Sequence, residues 1–240
     1  MPRYFIEVAY KGTNYSGFQI QDNANTIQAE VEKALQIYYK ERIELTGSSR
    51  TDAGVHALQN YFHFDTTFEI SEDTYHLNAI LPIDIVIKSI KQVQDNAHCR
   101  FDAKSREYQY HVQHSKNPFN NQYAYYFPYS LNVQAMQEAA QLILANTDFT
   151  SFSKKNTQVH THNCMIYESA WTELNSEMIY TVKANRFLRG MVRGLVGTML
   201  QVGRSKISIS QFQQIILSKD FRQVDFSAPP QGLFLVNVNY

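Results

Sequence analysis

Cysteine is scarce: Cys99 and Cys164 are the two in 240 residues. Two thiols cannot build a disulfide framework or a CxxC-type zinc site, so a reducing, cytoplasmic setting is expected. Long apolar runs are missing; none approaches the roughly 18–20 residues that a membrane span needs. Residues 1–10 are polar and strand-like rather than basic and then apolar, so no secretion signal is expected. No phosphate-cradling glycine loop of the GxxxxGK or GxGxxG kind occurs. The eight histidines show no metal-ligand spacing. His111 and His114 fall on opposite faces of a predicted strand, and His160 and His162 lack two further ligands nearby. No metal and no cofactor is therefore expected. Net charge is absent as well, with 22 Lys+Arg against 22 Asp+Glu, which by itself argues against a polyanionic partner.

What is present fits a globular chain. Hydrophobic residues are 44% and charged residues 18%, which excludes wholesale disorder. The length suits one large domain or two small ones side by side. The neutral total hides an uneven distribution. Residues 1–75 carry six Lys/Arg against eleven Asp/Glu. Residues 178–219 carry Lys183, Arg186, Arg189, Arg193, Arg204, Lys206 and Lys219 and no acid. Such a segment is either a solvated face or a local phosphate-binding surface.

The pattern along the chain predicts a strand over 3–10 and a helix over 25–40, with Ile27, Val31, Leu35 and Tyr38 on one face and an Asn25–Gln28 capping box. Strands are predicted over 43–45, 57–64 and 83–90, with a short helix over 72–80. The second half repeats this grammar: a strand over 106–113, a helix over 133–144, a hairpin of 165–174 and 178–184 around Asn175-Ser176, a helix over 187–202 and a strand over 233–240. Two β-α-β-β-α-β runs predict an α+β fold of two ferredoxin-like halves, 1–100 and 101–240, sharing an antiparallel sheet with a cleft between them.

Three places can carry chemistry. The polar loop Ser48-Ser49-Arg50-Thr51-Asp52-Ala53-Gly54 lies between glycines at a strand end. Asp52, two residues from an always-charged arginine, is suited to stay ionised and act as nucleophile or base; the alternative is an Asx-turn beside Gly54. On the helix predicted over 187–202, Arg186, Arg189 and Arg193 fall in one stripe with Gly190 and Gly197, suggesting an acid or phosphate opposite and close approach of another backbone. Tyr108, Tyr110 and Val112 share one strand face, where a tyrosine can stack on a base with Arg100 and Arg106 on phosphates, or simply fill a core.

Read together, these segments resemble the tRNA pseudouridine synthase A family over essentially the whole chain. Arg50-Thr51-Asp52-Ala53-Gly54-Val55-His56 matches the family's catalytic loop without departure. Arg100-Phe101 through Arg106-Glu107-Tyr108-Gln109-Tyr110, Asp148-Phe149-Thr150-Ser151-Phe152, Lys183-Ala184-Asn185-Arg186-Phe187 through Met191-Val192-Arg193, and Gly232-Leu233-Phe234-Leu235-Val236 match later motifs. The resemblance implies that Asp52 is the catalytic aspartate, Tyr108 the active-site tyrosine, Arg193 the arginine paired with the aspartate, and Arg50 the arginine that fills the space of a flipped base. Arg186 and Arg189 join them as substrate-binding residues. It implies uridine-to-pseudouridine isomerisation at tRNA positions 38, 39 and 40, without cofactor, by a homodimer that binds tRNA across both subunits. Cys164 stands where the family often has an arginine. The rival reading is a non-catalytic RNA-binding protein of paired ferredoxin-like units, which gives Asp52 no role.

Overall fold

A computed structural model describes residues 1–154, 160–174 and 177–240. The architecture is α+β with mostly antiparallel strand pairing. The chain divides into two compact units, 1–104 with 234–240, and 105–233. The closing strand, expected in the second half, lies in the first unit instead. Among the described residues, no helix is long and apolar enough to cross a membrane.

The first unit runs β1 (Arg3–Tyr10), α1 (Ile27–Tyr39), β2 (Thr46–Gly47), β3 (His56–Asp65), α2 (Tyr75–Ile80) and β4 (Ile85–Val93), and takes in the final strand β9 (Leu233–Asn239). β1 pairs antiparallel with both β3 and β4. β3 also pairs antiparallel with β2 at Phe62 and His63, and parallel with β9 at His56 and Ala57. The order β4-β1-β3-β2 is that of a split β-α-β unit. The two-residue alternation of β1 buries Tyr4, Ile6, Val8 and Tyr10 and leaves the intervening residues half-covered. Phe18 stacks on Phe62 with centroids 4.4 Å apart and on Tyr10 at 5.8 Å. Ile27, Val31 and Leu35 on α1 join this buried core.

Three local expectations are corrected here. α1 is capped by Thr26, whose hydroxyl accepts the Ala29 N–H, and not by Asn25. The Gln28 side chain, expected in a capping box, instead binds Leu45, Glu32 and the Ile20 N–H. The strand predicted over 43–45 is displaced to Thr46–Gly47, and the helix predicted from 72 begins at Tyr75.

The second unit runs β5 (Ser105–Gln113), β6 (Tyr125–Tyr126), α3 (Val133–Leu144), β7 (Ile166–Leu174), β8 (Glu177–Ala184), α4 (Met191–Gly203) and α5 (Ile209–Ser218). β8 pairs antiparallel with β5 and with β7, and β6 pairs parallel with β5. The hairpin turn Asn175-Ser176 falls outside the described residues. Tyr110 and Val112 of β5 and Tyr180 and Val182 of β8 are wholly buried, as are Met136, Ala140 and Ile143 of α3 and Leu195, Val196 and Met199 of α4.

Helix α4 departs from expectation in a way that matters for the site. It starts at Met191, because Gly190 takes φ 74° as the N-cap, in the left-handed region that side chains avoid. Arg186 and Arg189 therefore precede the helix, and the expected stripe of three arginines on one helical face does not exist. α5 was not anticipated, although its capping box of Ser208 and Gln211 is a readable start signal.

Candidate active site

In the first unit, buried anchors fix the backbone of the loop 48–55 at nearly every step. The buried Asn60 donates to Ser49 O at 2.8 Å, and the Tyr10 hydroxyl meets Thr51 Oγ1 at 2.8 Å. Phe18 N–H donates to Thr51 O, Gly54 N–H to Tyr15 O, and Val55 N–H to Asp52 O, closing a turn whose third residue, Gly54, takes φ 80°. The loop is packed so closely that a Cβ on Gly12 would lie 1.9 Å from Val55 O. His56 Nδ1 accepts the Gly12 N–H at 3.1 Å, which closes the far end. Within this frame Ser49, Thr51 and Val55 are buried, Asp52 is half-exposed and Arg50 is exposed. A clamped backbone that presents one carboxylate and one guanidinium is what a positioned acid–base or nucleophilic group requires.

In the second unit, Arg193 occupies the first turn of α4, and its Nε donates to Ala228 O at 2.7 Å. Tyr108 is buried on β5, 7% exposed, with its ring edge-on to Phe187 at 5.1 Å. The face shared by Tyr108, Tyr110 and Val112 is core, as one of the two expectations held, and the Tyr110 hydroxyl donates to Pro229 O at 2.8 Å. Arg189 is exposed and Arg186 half-buried. Arg106 donates to Asn185 O, and Arg204 lies 3.8 Å over the Tyr129 ring. Lys219 pairs with Asp148 at 2.8 Å, so one of the seven basic charges is matched locally.

The motif around Asp148 is a folding device. Asp148 Oδ1 accepts from the Thr150 N–H and hydroxyl, and Ser151 Oγ donates to Ile215 O at 2.6 Å between the wholly buried Phe149 and Phe152. Lys219 first, then Thr150, hold the Asp148 carboxyl down at about 2. Cys164, which stands where the resemblance would place an arginine, is buried. Burial pushes its thiol up to about 11, against the nearby positive charge of Arg186.

Sequence spacing missed one cluster. His63, His98 and Cys99 each bring one ligand-type atom within 4.8 Å of the others. His63 Nδ1 lies 3.1 Å from Cys99 Sγ, which donates to Thr46 O at 3.2 Å. His98 Nδ1 accepts the N–H groups of Arg100 and Phe101. A ligating imidazole normally donates from its second ring nitrogen, so this acceptor role suits a neutral hydrogen-bonded cluster. Burial above all, then coupling to the neighbouring His98 and the positive charge of Arg3, push His63 down to about 4. No signal in the sequence joins positions 63 and 98, because only the fold makes them neighbours.

The first unit carries a clamped aspartate loop on a split β-α-β unit and the second carries an acid-free basic segment, features that suit an enzyme acting on a polyanion. The family model described as tRNA pseudouridine synthase matches residues 6–102 and 139–240. A tRNA pseudouridine synthase A from Bacteroides thetaiotaomicron is 45% identical, covering 100% of this chain and 91% of its own length. Those of Parabacteroides distasonis and Staphylococcus aureus are 44% and 38% identical, over 100% and 98% of this chain and 96% and 90% of theirs. The chain belongs to the tRNA pseudouridine synthase family.

Proposed function

We propose that this protein converts uridine to pseudouridine in the anticodon stem-loop of tRNA, at positions 38, 39 and 40, with Asp52 as the catalytic carboxylate. The observation that carries the reading is the loop itself: a half-exposed aspartate on a backbone held by Tyr10, Phe18, Tyr15 and Asn60. The reaction breaks the C1′–N1 bond, turns the uracil and forms a C1′–C5 bond. N1 gains the proton that C5 gives up, so the change is an isomerisation with no redox step. The carboxylate serves as nucleophile or as base toward the sugar.

The target base must leave its stack, at a cost of a few kcal/mol. In this reading Arg50 fills the vacated space and Tyr108 borders the turned base. Arg193 holds the carboxylate ionised and oriented through charge-assisted hydrogen bonds. Arg186 and Arg189 serve the phosphates. No metal or cofactor takes part, and the working form is a cytoplasmic homodimer that binds tRNA across both subunits.

Asp52→Asn tests the assignment, because it keeps the shape and removes the charge. Turnover on unmodified tRNA is expected to fall by at least about a hundredfold, with the fold and tRNA affinity retained. Turnover within tenfold of the unsubstituted protein would refute it. Loss of tRNA binding together with the charge would favour the non-catalytic RNA-binding reading.

A further inference from the structure

We propose that residues 225–229 form a positioning element for the Arg193 guanidinium, and that α4 is bare of side chains at Gly194 and Gly197 so that this segment can reach it. The proposal rests on the reading of Arg193 as the residue that orients the catalytic carboxylate.

Arg193 Nε donates to Ala228 O at 2.7 Å. A guanidinium is planar, so a bond that fixes Nε also fixes the plane in which the two Nη groups donate. The direction of the fork is thus set by where the Ala228 carbonyl sits. That carbonyl belongs to a buried residue in a heavily tethered segment. Asp225 N–H donates to Thr198 Oγ1 at 3.2 Å, and Gln201 Nε2 donates to Asp225 Oδ2 at 2.6 Å. Ser227 N–H donates to Asp225 Oδ1 at 2.8 Å, and the Tyr110 hydroxyl ties Pro229 O to β5.

The close approach has a steric signature. A Cβ on Gly197 would stand 2.2 Å from Asp225 O, and one on Gly194 2.8 Å from the Phe226 ring. Thr198 Oγ1 itself donates to Gly194 O at 2.7 Å, which leaves its lone pairs for the Asp225 N–H. Positions 193, 194, 197, 198 and 201 follow one face of α4. The helix that carries the arginine therefore also holds the segment that aims it. Asp225 is a positioning residue in this account, acting on the reaction only through Arg193.

A double-mutant cycle tests this in the full-length protein, with single-turnover kinetics on unmodified tRNA at saturating enzyme. Asp225→Ala is made in the native background and with Arg193→Lys, which keeps the positive charge but has no Nε–H fork to orient. The expected result is a rate constant about tenfold lower in the native background, unchanged tRNA affinity, and no further slowing when Arg193→Lys is present. Gln201→Ala, which removes one tether, is expected to follow the same pattern more mildly, and it carries the cycle if Asp225→Ala unfolds. Equal slowing in both backgrounds, or no slowing in the native one, overturns the proposal. A separate Arg193→Ala control tells the two failures apart. If it leaves the rate constant unchanged, the reading of Arg193 has failed; if it slows the reaction while the cycle shows no coupling, only the positioning role has failed.

Discussion

Asp52 illustrates what single residues can and cannot declare. Its neighbours Arg50 and Gly54 mark it in the sequence as either a held carboxylate or an Asx-turn, and the structure shows a backbone turn closed from Val55 N–H to Asp52 O. What the sequence could not show is who holds the loop: Tyr10, Tyr15, Phe18 and Asn60 come from up to 41 positions away from the loop residues they bind and converge only after folding. His63 was invisible for the same reason. Its low pKa, about 4, predicts a pH effect whose sign follows from burial. A histidine with its folded pKa below the unfolded value contributes stability above the unfolded pKa, near 6.5. That stability is lost as pH falls toward 4, because the unfolded chain takes up a proton that the folded one refuses. His98, pushed down mainly by burial, acts in the same direction. Urea midpoints measured at pH 7 and 4.5 should drop for the native chain and drop less for His63→Gln. An equal drop in both would show that His63 does not carry the effect.

At the scale of elements, periodicity identified what it is good at. The strand β1 alternates as read, and α3 spans Val133–Leu144 as expected from Met136 and Ala140 in register. The start of α4 was misread because the apolar spacing of Phe187, Leu188 and Met191 continues through a segment that Gly190 turns sharply. A positive φ leaves no trace in a hydrophobic pattern. The expectation that Gly197 marks close backbone approach was sound, and Asp225 O is the backbone in question. Gly197→Ala should therefore cost about 1–3 kcal/mol of stability through overpacking, measurable as a lower urea midpoint. Stability equal to or above that of the native chain would contradict the packing argument. Arg186 and Arg189, freed from the helix stripe, should behave as separate phosphate contacts. Each alanine variant is expected to weaken tRNA binding and lower the slope of log affinity against log salt by about one. Unchanged slopes in a salt titration would remove them from the interface.

For the molecule as a whole, the β-α-β-β-α-β grammar was enough to indicate α+β architecture, and the aspartate motif read together with the later motifs was enough to indicate the family. The assignment of the last strand was not legible, since Leu233 to Val236 reads as a strand wherever it pairs; its pairing with His56 and Ala57 on β3 is a property of the fold. Composition was a weaker guide. A net charge of zero argued against a polyanionic partner, and only the acid-free stretch over 178–219 pointed the other way. The measurement that bears most directly on the central claim is a position-by-position map of pseudouridine in unmodified tRNA after incubation with the purified protein. The account predicts new pseudouridine at positions 38, 39 and 40, in those tRNAs that carry uridine there, and none with Asp52→Asn. Pseudouridine confined to other positions, or formed equally by the Asp52→Asn variant, would contradict it.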